Sequence, residues 1–262
     1  MIPKKIHYCW FGGNPLPNDF QKYIESWKSY CSDYQIIEWN ETNIDLHSCK
    51  YLEQAYNEKK WAFVADYVRF LVVFKEGGIY LDTDIEVIKP LDELLENNAF
   101  FGFGSTSLTV PIFGAMAGHP CLEDILEDYS HRSFIKEDGT LDETTIERTV
   151  SRILTSNYGL KMNWEEQYLR DGIRVYPREY FFSTDWHTGI VHLNPKLYVI
   201  HYAVGTWLPE EERIPIEIRK KTIHLFGEKI GQPIGTAIYL LKYKGFSALL
   251  KRIIERNKNN DK

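Results

Sequence analysis

The stretch from Trp61 to Asp84 constrains the fold more than any other part of the chain. Phe63, Val64, Tyr67, Phe70, Leu71 and Phe74 recur at helical spacing and predict a long helix with a broad apolar stripe. Gly77-Gly78 stops it. Ile79-Tyr80-Leu81 then reads as a strand that carries Asp82-Thr83-Asp84 at its carboxyl end. A helix returning into a strand is the repeating unit of α/β proteins, whose ligands bind in the crevice beyond the carboxyl ends of the strands. Both carboxylates are therefore expected in that crevice.

The neighbouring segments agree. Lys4 to Phe11 reads as a buried first strand closed by the turn Gly12-Gly13-Asn14-Pro15. Phe20, Tyr23, Ile24 and Trp27 are spaced for a helix, and Tyr34 to Trp39 for a second strand. Further on, Leu91 to Leu95 predicts a short helix, Phe100 to Phe103 and Val110 to Met116 predict strands, and Leu122 to Tyr129 and Thr144 to Leu154 predict helices. Ile173 to Tyr176 and Leu197 to His201 read as late strands. With 44% hydrophobic residues in 262, the chain can bury one large core, and no linker or repeat interrupts it. The expected organisation is one α/β domain over 1–215 and a basic helical extension over 216–262, amphipathic from Gly235 to Asn257.

Charge is distributed unevenly. From Arg219 to Lys262 there are eleven Lys and Arg against Glu228, Glu255 and Asp261, a balance of +8 within a chain of net charge −6. The rest thus carries −14. No basic patch interleaved with aromatics precedes residue 200, which argues against a nucleic-acid partner. In the extension, Ile238, Leu241, Leu249, Leu250, Ile253 and Ile254 alternate with Lys242, Lys244, Lys251, Arg252 and Arg256, a pattern suited to an anionic membrane surface. A helix packed on the domain with a solvated basic face is the bland alternative.

Cys9, Cys31, Cys49 and Cys121 are far apart and form no C-x-x-C pair, as expected of reduced, buried thiols. Met1 to Lys5 runs straight into a strand, without a signal peptide, and no apolar run reaches 18 residues. These features predict a cytoplasmic protein, at most peripheral on the inner face of the plasma membrane.

A D-x-D pair suits a Mg²⁺ or Mn²⁺ ion that also binds a diphosphate, since such ions take one or two carboxylates and keep room for phosphate oxygens. Alone it is a short pattern that also occurs in surface turns. Its surroundings are more specific. Ala65-Asp66-Tyr67-Val68-Arg69, followed by Gly77-Gly78-Ile79-Tyr80-Leu81-Asp82-Thr83-Asp84, gives A-D-x-x-R and then G-G-x-Y-x-D-x-D. This run resembles the signature of glycosyltransferase family 32, which includes yeast α-mannosyltransferases and many bacterial capsule and lipopolysaccharide sugar transferases. It is also similar to the catalytic core of the large clostridial glucosylating toxins. His201-Tyr202-Ala203-Val204-Gly205-Thr206-Trp207 resembles the family's late His-x-x-x-Gly-Ser-Trp element, with Thr206 where serine is commoner. The likeness is dense from Trp61 to Pro90 and thin between residues 105 and 195.

The resemblance implies a GT-A type fold, a Rossmann-like mixed sheet flanked by helices. It implies a retaining, metal-dependent transferase moving a hexose or N-acetylhexosamine from a nucleotide-diphosphate sugar to an oligosaccharide or lipid-linked glycan, in capsular or surface polysaccharide synthesis. UDP is the preferred nucleotide and GDP the alternative. Asp84 would bind Mn²⁺ or Mg²⁺ directly, with His201 as second ligand and Asp82 touching the donor or the metal through water. Asp66 and Arg69 would orient the donor sugar, Thr206 and Trp207 would belong to the donor site, and the Trp207 indole would point to the diphosphate. Tyr8, Trp10 and Phe11, expected just after the first strand, would border the base. His119 and the run Asp185-Trp186-His187 are expected in loops that could touch a sugar. Each feature has an ordinary structural reading: a helix ion pair for Asp66 and Arg69, a satisfied core histidine for His201, packing for the tryptophans. Competing functions are a non-catalytic nucleotide-sugar or glycan binder, a transferase acting on protein, and a haloacid-dehalogenase-type phosphatase. The last is disfavoured because its D-x-D normally lies near the N-terminus.

Overall fold

The structure is a computed structural model that describes residues 1–205 and 208–252. In chain order the elements are β1 (Lys5–Cys9), α1 (Asn18–Tyr30), β2 (Gln35–Trp39), α2 (Lys50–Asn57), α3 (Trp61–Glu76), β3 (Gly78–Leu81) and β4 (Ile85–Val87). They continue with β5 (Ala99–Phe103), β6 (Leu108–Ala115), α4 (Pro120–Ser130), α5 (Ile146–Tyr158), β7 (Gln167–Tyr168), β8 (Ile173–Tyr176) and β9 (Val199–His201). Two long helices follow, α6 (Glu210–Phe226) and α7 (Glu228–Tyr239).

By compactness the chain divides into two units: Met1–Ser183 with Leu193–Tyr202, and Thr184–His192 with the residues from Ala203 onward. The boundary expected near 215 lies within α6.

The first unit is a mixed α/β layer structure. Seven strands form one sheet in the order β2-β1-β3-β6-β5-β8-β7, with β1 parallel to β2 and β3, and β3 antiparallel to β6. Side chains alternate between two cores. Ile79 and Leu81 of β3 pack with Ile6, Tyr8, Ile24 and Trp27 on the α1 face. Tyr80 points the other way, into a core with Val64, Tyr67, Val68 and Phe70 of α3. That period of two follows from the pleat and fixes which face each residue at the end of β3 serves.

The double glycine between α3 and β3 is required twice over. Gly77 and Gly78 adopt φ of 63° and 127°, conformations that disfavour L side chains. A Cβ on Gly78 would also lie 2.8 Å from both the His7 ring and the Lys5 carbonyl oxygen. His7 is satisfied: its Nδ1 accepts from the Trp39 indole at 3.0 Å, so Nε2–H donates to Gly77 O at 2.8 Å.

A second, two-stranded sheet pairs β4 with β9, antiparallel, with Ile85 opposite His201. Helix α1 anchors it, because the Trp27 indole donates to Ile85 O at 2.8 Å and Val87 N donates to Ser26 Oγ at 2.9 Å. This small ladder brings residue 201 beside residue 84.

The strands and helices expected in the first unit are present, and α2 is additional. In the second unit the helical extension expected from 216 is present as two helices: α6 begins earlier, at Glu210, and α7 begins at Glu228 rather than at Gly235, where the amphipathic stretch was expected to start. A wider turn of helix over Leu240–Lys244 and a further helical stretch over 246–252 complete the described chain. The rest of the helix expected to Asn257 lies outside the described residues. All four cysteines are free and buried. Among the described residues no helix is long and apolar enough to cross a membrane.

Candidate metal and donor site

The chain leaves the sheet at Leu81, and the next three residues form a tight connection into β4. Asp82 N donates to Pro111 O at 2.8 Å and Ile85 N to Asp82 O at 3.1 Å, which fixes the backbone around both carboxylates. Tyr202 N donates to Asp84 O at 3.0 Å, extending the β4–β9 pairing into the motif. His201 Nε2 then stands 3.3 Å from Asp84 Oδ1. Asp82, Asp84 and His201 each offer a ligand atom, and these atoms lie within 4.8 Å of one another.

Arg69 forms the other half of the site. Its guanidinium lies 3.0 Å from Asp66 and 3.4 Å from Asp82, donates to Val110 O at 3.3 Å, and covers the Tyr80 ring at 4.7 Å from the centroid. Tyr80 OH donates to Asp82 Oδ1 at 3.0 Å. With only 7% of its side chain exposed, Arg69 is a fixed cation between two carboxylates rather than a surface ion-pair partner. The helical spacing of three brings Asp66 and Arg69 together, and the strand period of two puts Tyr80 and Asp82 on the same face.

Asp66 and Asp82 thus share one permanent cation, while Asp84 lies against His201. Burial drives the Asp66 carboxyl up to about 7 even though Arg69 opposes the rise. Burial also raises Asp82, with Asp84 adding to the effect and Arg69 and His201 opposing it. For His201, burial disfavours the imidazolium, but the negative charge of Asp84, Asp82 and Glu147 outweighs it and the pKa rises. A crevice so rich in acid favours a cation.

Two expected residues are placed differently from expectation. Tyr8 lies inside β1, not after it; its hydroxyl donates to Glu38 at 2.7 Å and its ring meets Trp27 edge-on at 5.6 Å. Phe11 is buried in the α3-side core. Trp10 keeps part of its surface, with its indole donating to Asn14 O at 2.6 Å. Thr206 and Trp207 lie outside the described residues.

His119 is the N-cap residue just ahead of α4, and its ring is engaged within the fold. It caps α4 at 2% exposure, Nδ1 accepting from Cys121 N at 3.2 Å and Nε2–H donating to Asp171 O at 3.1 Å, so both nitrogens are taken. Asp185 closes a turn by accepting from Thr188 N and Oγ1 at 2.7 and 2.8 Å. Asp185, Trp186 and His187 belong to the second unit, which has a cavity of about 170 Å³ lined in part by His187, Thr188, Arg219 and Gln232.

Two residues escaped the sequence reading. Tyr80 was legible in principle, because a tyrosine two residues before Asp82 must share its face. Glu147, in the first turn of α5, acts on both Asp66 and His201. It is brought there by packing of α5 on the sheet, for which the sequence holds no local signal.

Fold and site together define a mixed α/β protein with an acidic D-x-D crevice at a strand end. Comparison with known proteins shows what the chain is similar to. Residues 17–101 match the family described as glycosyltransferase sugar-binding region containing DXD motif. It is 30% identical over 145 residues to inositol phosphoceramide mannosyltransferase 3 of Schizosaccharomyces pombe, covering 51% of this chain and 38% of that one. It is 29% identical over 111 residues to the initiation-specific alpha-1,6-mannosyltransferase of Candida albicans, covering 37% and 28%. The chain therefore matches well under half the length of these relatives. The solved PaToxG glycosyltransferase is similar at 16% identity with a TM-score of 0.44, over 59% of this chain and 68% of that chain, a score too low to bear on function.

Proposed function

We propose that the protein is a retaining, metal-dependent glycosyltransferase that moves a hexose or N-acetylhexosamine from a nucleotide-diphosphate sugar to a glycan acceptor. The observation that carries this reading is the convergence of Asp82, Asp84 and His201 within 4.8 Å beside the buried Arg69. Two carboxylates and an imidazole are a donor set that suits Mn²⁺ and accepts Mg²⁺, and their spacing approaches that of ligands sharing one small cation. The residues fit the ion the family implies.

Asp84 and His201 would hold the cation, while Asp82, fixed by Tyr80 and Arg69, would meet the donor or a metal-bound water. The bound cation supplies charge compensation for the leaving diphosphate. Asp66 and Arg69 would orient the donor sugar, and Trp10, Thr206 and Trp207 would contact the nucleotide. The bond from the anomeric carbon to the diphosphate breaks, the acceptor oxygen bonds to that carbon on the same face, and its proton passes to the departing phosphate. No protein base is needed, so a pair of acid and base carboxylates as in glycosidases is not expected.

UDP is the favoured nucleotide. The relatives named mannosyltransferases keep mannose, and with it GDP, among the candidates. We place the donor chemistry in the part before residue 215 and treat the basic extension after it as the part that faces an anionic membrane, near a lipid-linked acceptor of surface-polysaccharide synthesis in the cytoplasm. The test is release of nucleotide from a panel of UDP- and GDP-sugars with Mn²⁺, followed by mass spectrometry. Metal-dependent release from one donor, absent in Asp84→Ala, is expected. Absence of both turnover and metal-dependent donor binding in the native protein would return the chain to a non-catalytic role.

A further inference from the structure

Helices α6 and α7 turn on Gly227 and pack along a seam of very small residues. Gly231 and Gly235, one turn apart on α7, are buried against Thr222 and its neighbours on α6. A Cβ on Gly231 would lie 2.3 Å from Thr222 O and 2.4 Å from Ile223 Cα, and one on Gly235 would lie 2.9 Å from Arg219 Cα. Thr222 Oγ1 closes the seam by donating to Gly231 O at 2.7 Å.

In water, paired helices gain stability by burying their large apolar side chains between them. This hairpin has the opposite arrangement. Among the described residues, eight of the fifteen exposed large hydrophobic side chains fall between Leu225 and Leu250. At the turn, Leu225 is 70%, Phe226 52% and Ile230 58% exposed. Along α7, Ile230, Ile234 and Ile238 recur every fourth residue and Leu241 continues the row. That stripe is displaced by one residue from the glycines, or about 100° around the helix, so Ile230, Ile238 and Leu241 stay exposed and Ile234 is half-buried. Small residues inside and large ones outside is the packing of helices whose surroundings are lipid.

The charge agrees. From Arg219 to Arg252 the chain carries eight Lys and Arg and a single acid, Glu228. Lys221, Lys229, Lys242 and Lys244 are exposed around the apolar stripe. No described helix can span a bilayer, so the surface is suited to lying in the headgroup region.

We infer that the α6–α7 hairpin is a membrane-insertion element, with its apolar turn and the Ile230–Leu241 stripe entering the headgroup region of an anionic bilayer and the flanking lysines meeting lipid phosphates. The inference rests on the proposed reading of the basic extension as membrane-facing. It moves the contact from the terminal segment beyond Gly235 to the turn around residues 225–230.

Full-length protein is floated with vesicles of phosphatidylcholine alone or with about one-third phosphatidylglycerol, at low and high salt. Two variants are compared, Leu225→Glu/Ile230→Glu at the turn and Phe246→Glu/Leu250→Glu in the last described helix. Donor hydrolysis and melting temperature are read in parallel. The native protein is expected to bind anionic vesicles and lose them in high salt. The turn variant should partition on the order of 10- to 100-fold less, with hydrolysis and melting unchanged. If only the Phe246/Leu250 variant loses binding, the hairpin inference fails while the membrane reading of the extension stands. No binding by the native protein overturns both. A turn variant that melts earlier, or that breaks a native dimer, while vesicle binding is unchanged would show an interior or self-association face and overturn the inference.

Discussion

At the end of β3 the side chains that meet are charged and largely buried, whereas in the seam of α6 and α7 they are almost absent. Arg69, Asp66 and Asp82 are taken from water at a desolvation cost that only mutual contact offsets, and two thick cores hold them in place. The hairpin keeps its large apolar residues on the outside and forms its seam from glycine and threonine. In the first unit burial energy organises charge. In the second it is left available on the surface. One region reads as a site for a small charged ligand and the other as a surface for an extended apolar one.

The largest effect is expected at the metal centre. Asp84→Ala removes a proposed direct ligand while leaving the β4–β9 ladder and the Arg69 cluster in place. Metal-dependent donor cleavage should fall on the order of 10³-fold with little change in melting temperature. Cleavage within about tenfold of native would remove Asp84 from the centre of the site.

Next in size is Arg69→Ala, which leaves Asp66 and Asp82 buried without their shared cation. A loss of about 3–5 kcal/mol of folding stability is expected, or roughly ten degrees in the melting temperature of a unit this size. Arg69→Lys should recover only part, because a point charge cannot reach Asp66, Asp82 and Val110 O together. A stable Arg69→Ala protein would mean that the carboxylates are solvated and that the site is an open surface like the hairpin.

How far each region could be read in advance follows from whether its contacts are local. Asp66 with Arg69 and Asp82 with Asp84 are visible because one turn of helix, or one intervening residue at the end of a strand, relates them. His201 is more than a hundred residues from Asp84 and reaches it only through the pairing of β4 with β9, so resemblance rather than pattern pointed to it. Glu147 had no such motif and was missed. The extension was expected to be helical, but the bounds of its helices and the seam that pairs them were hidden for a different reason. Pro215 and Pro233 sit inside α6 and α7, where proline argues against helix, and a seam of glycines leaves no inward apolar periodicity to detect.

That seam gives the third test. In Gly231→Ala the added Cβ meets backbone atoms of α6 that cannot turn aside, so the helices must separate. A cost of about 1–3 kcal/mol is expected for the hairpin alone. Hydrogen exchange should quicken in α6 and α7 while protection in β3 and metal-dependent cleavage stay as in the native protein. Spread of the effect to β3 would show that the two units unfold together.

The smallest effect concerns protons and metal at the acidic crevice. The pKa of His201 is raised, chiefly by Asp84 and Asp82 against the opposing cost of burial. Its charged form therefore stabilises the metal-free fold fully below the unfolded histidine value, and that stabilisation fades as pH rises through the folded value. Metal binding has the opposite dependence, because the imidazole must be neutral to ligate. Protonation of Asp66, with its carboxyl near 7, weakens cation binding in the same direction. Apparent Mn²⁺ affinity should fall by up to about tenfold per pH unit on the acid side of the His201 transition. His201→Gln should bind more weakly throughout and with a shallower slope, the remainder belonging to the carboxylates. Calorimetric titrations at several pH values would decide it: an unchanged slope in His201→Gln would show that the imidazole is a neighbour of the ion and not its ligand.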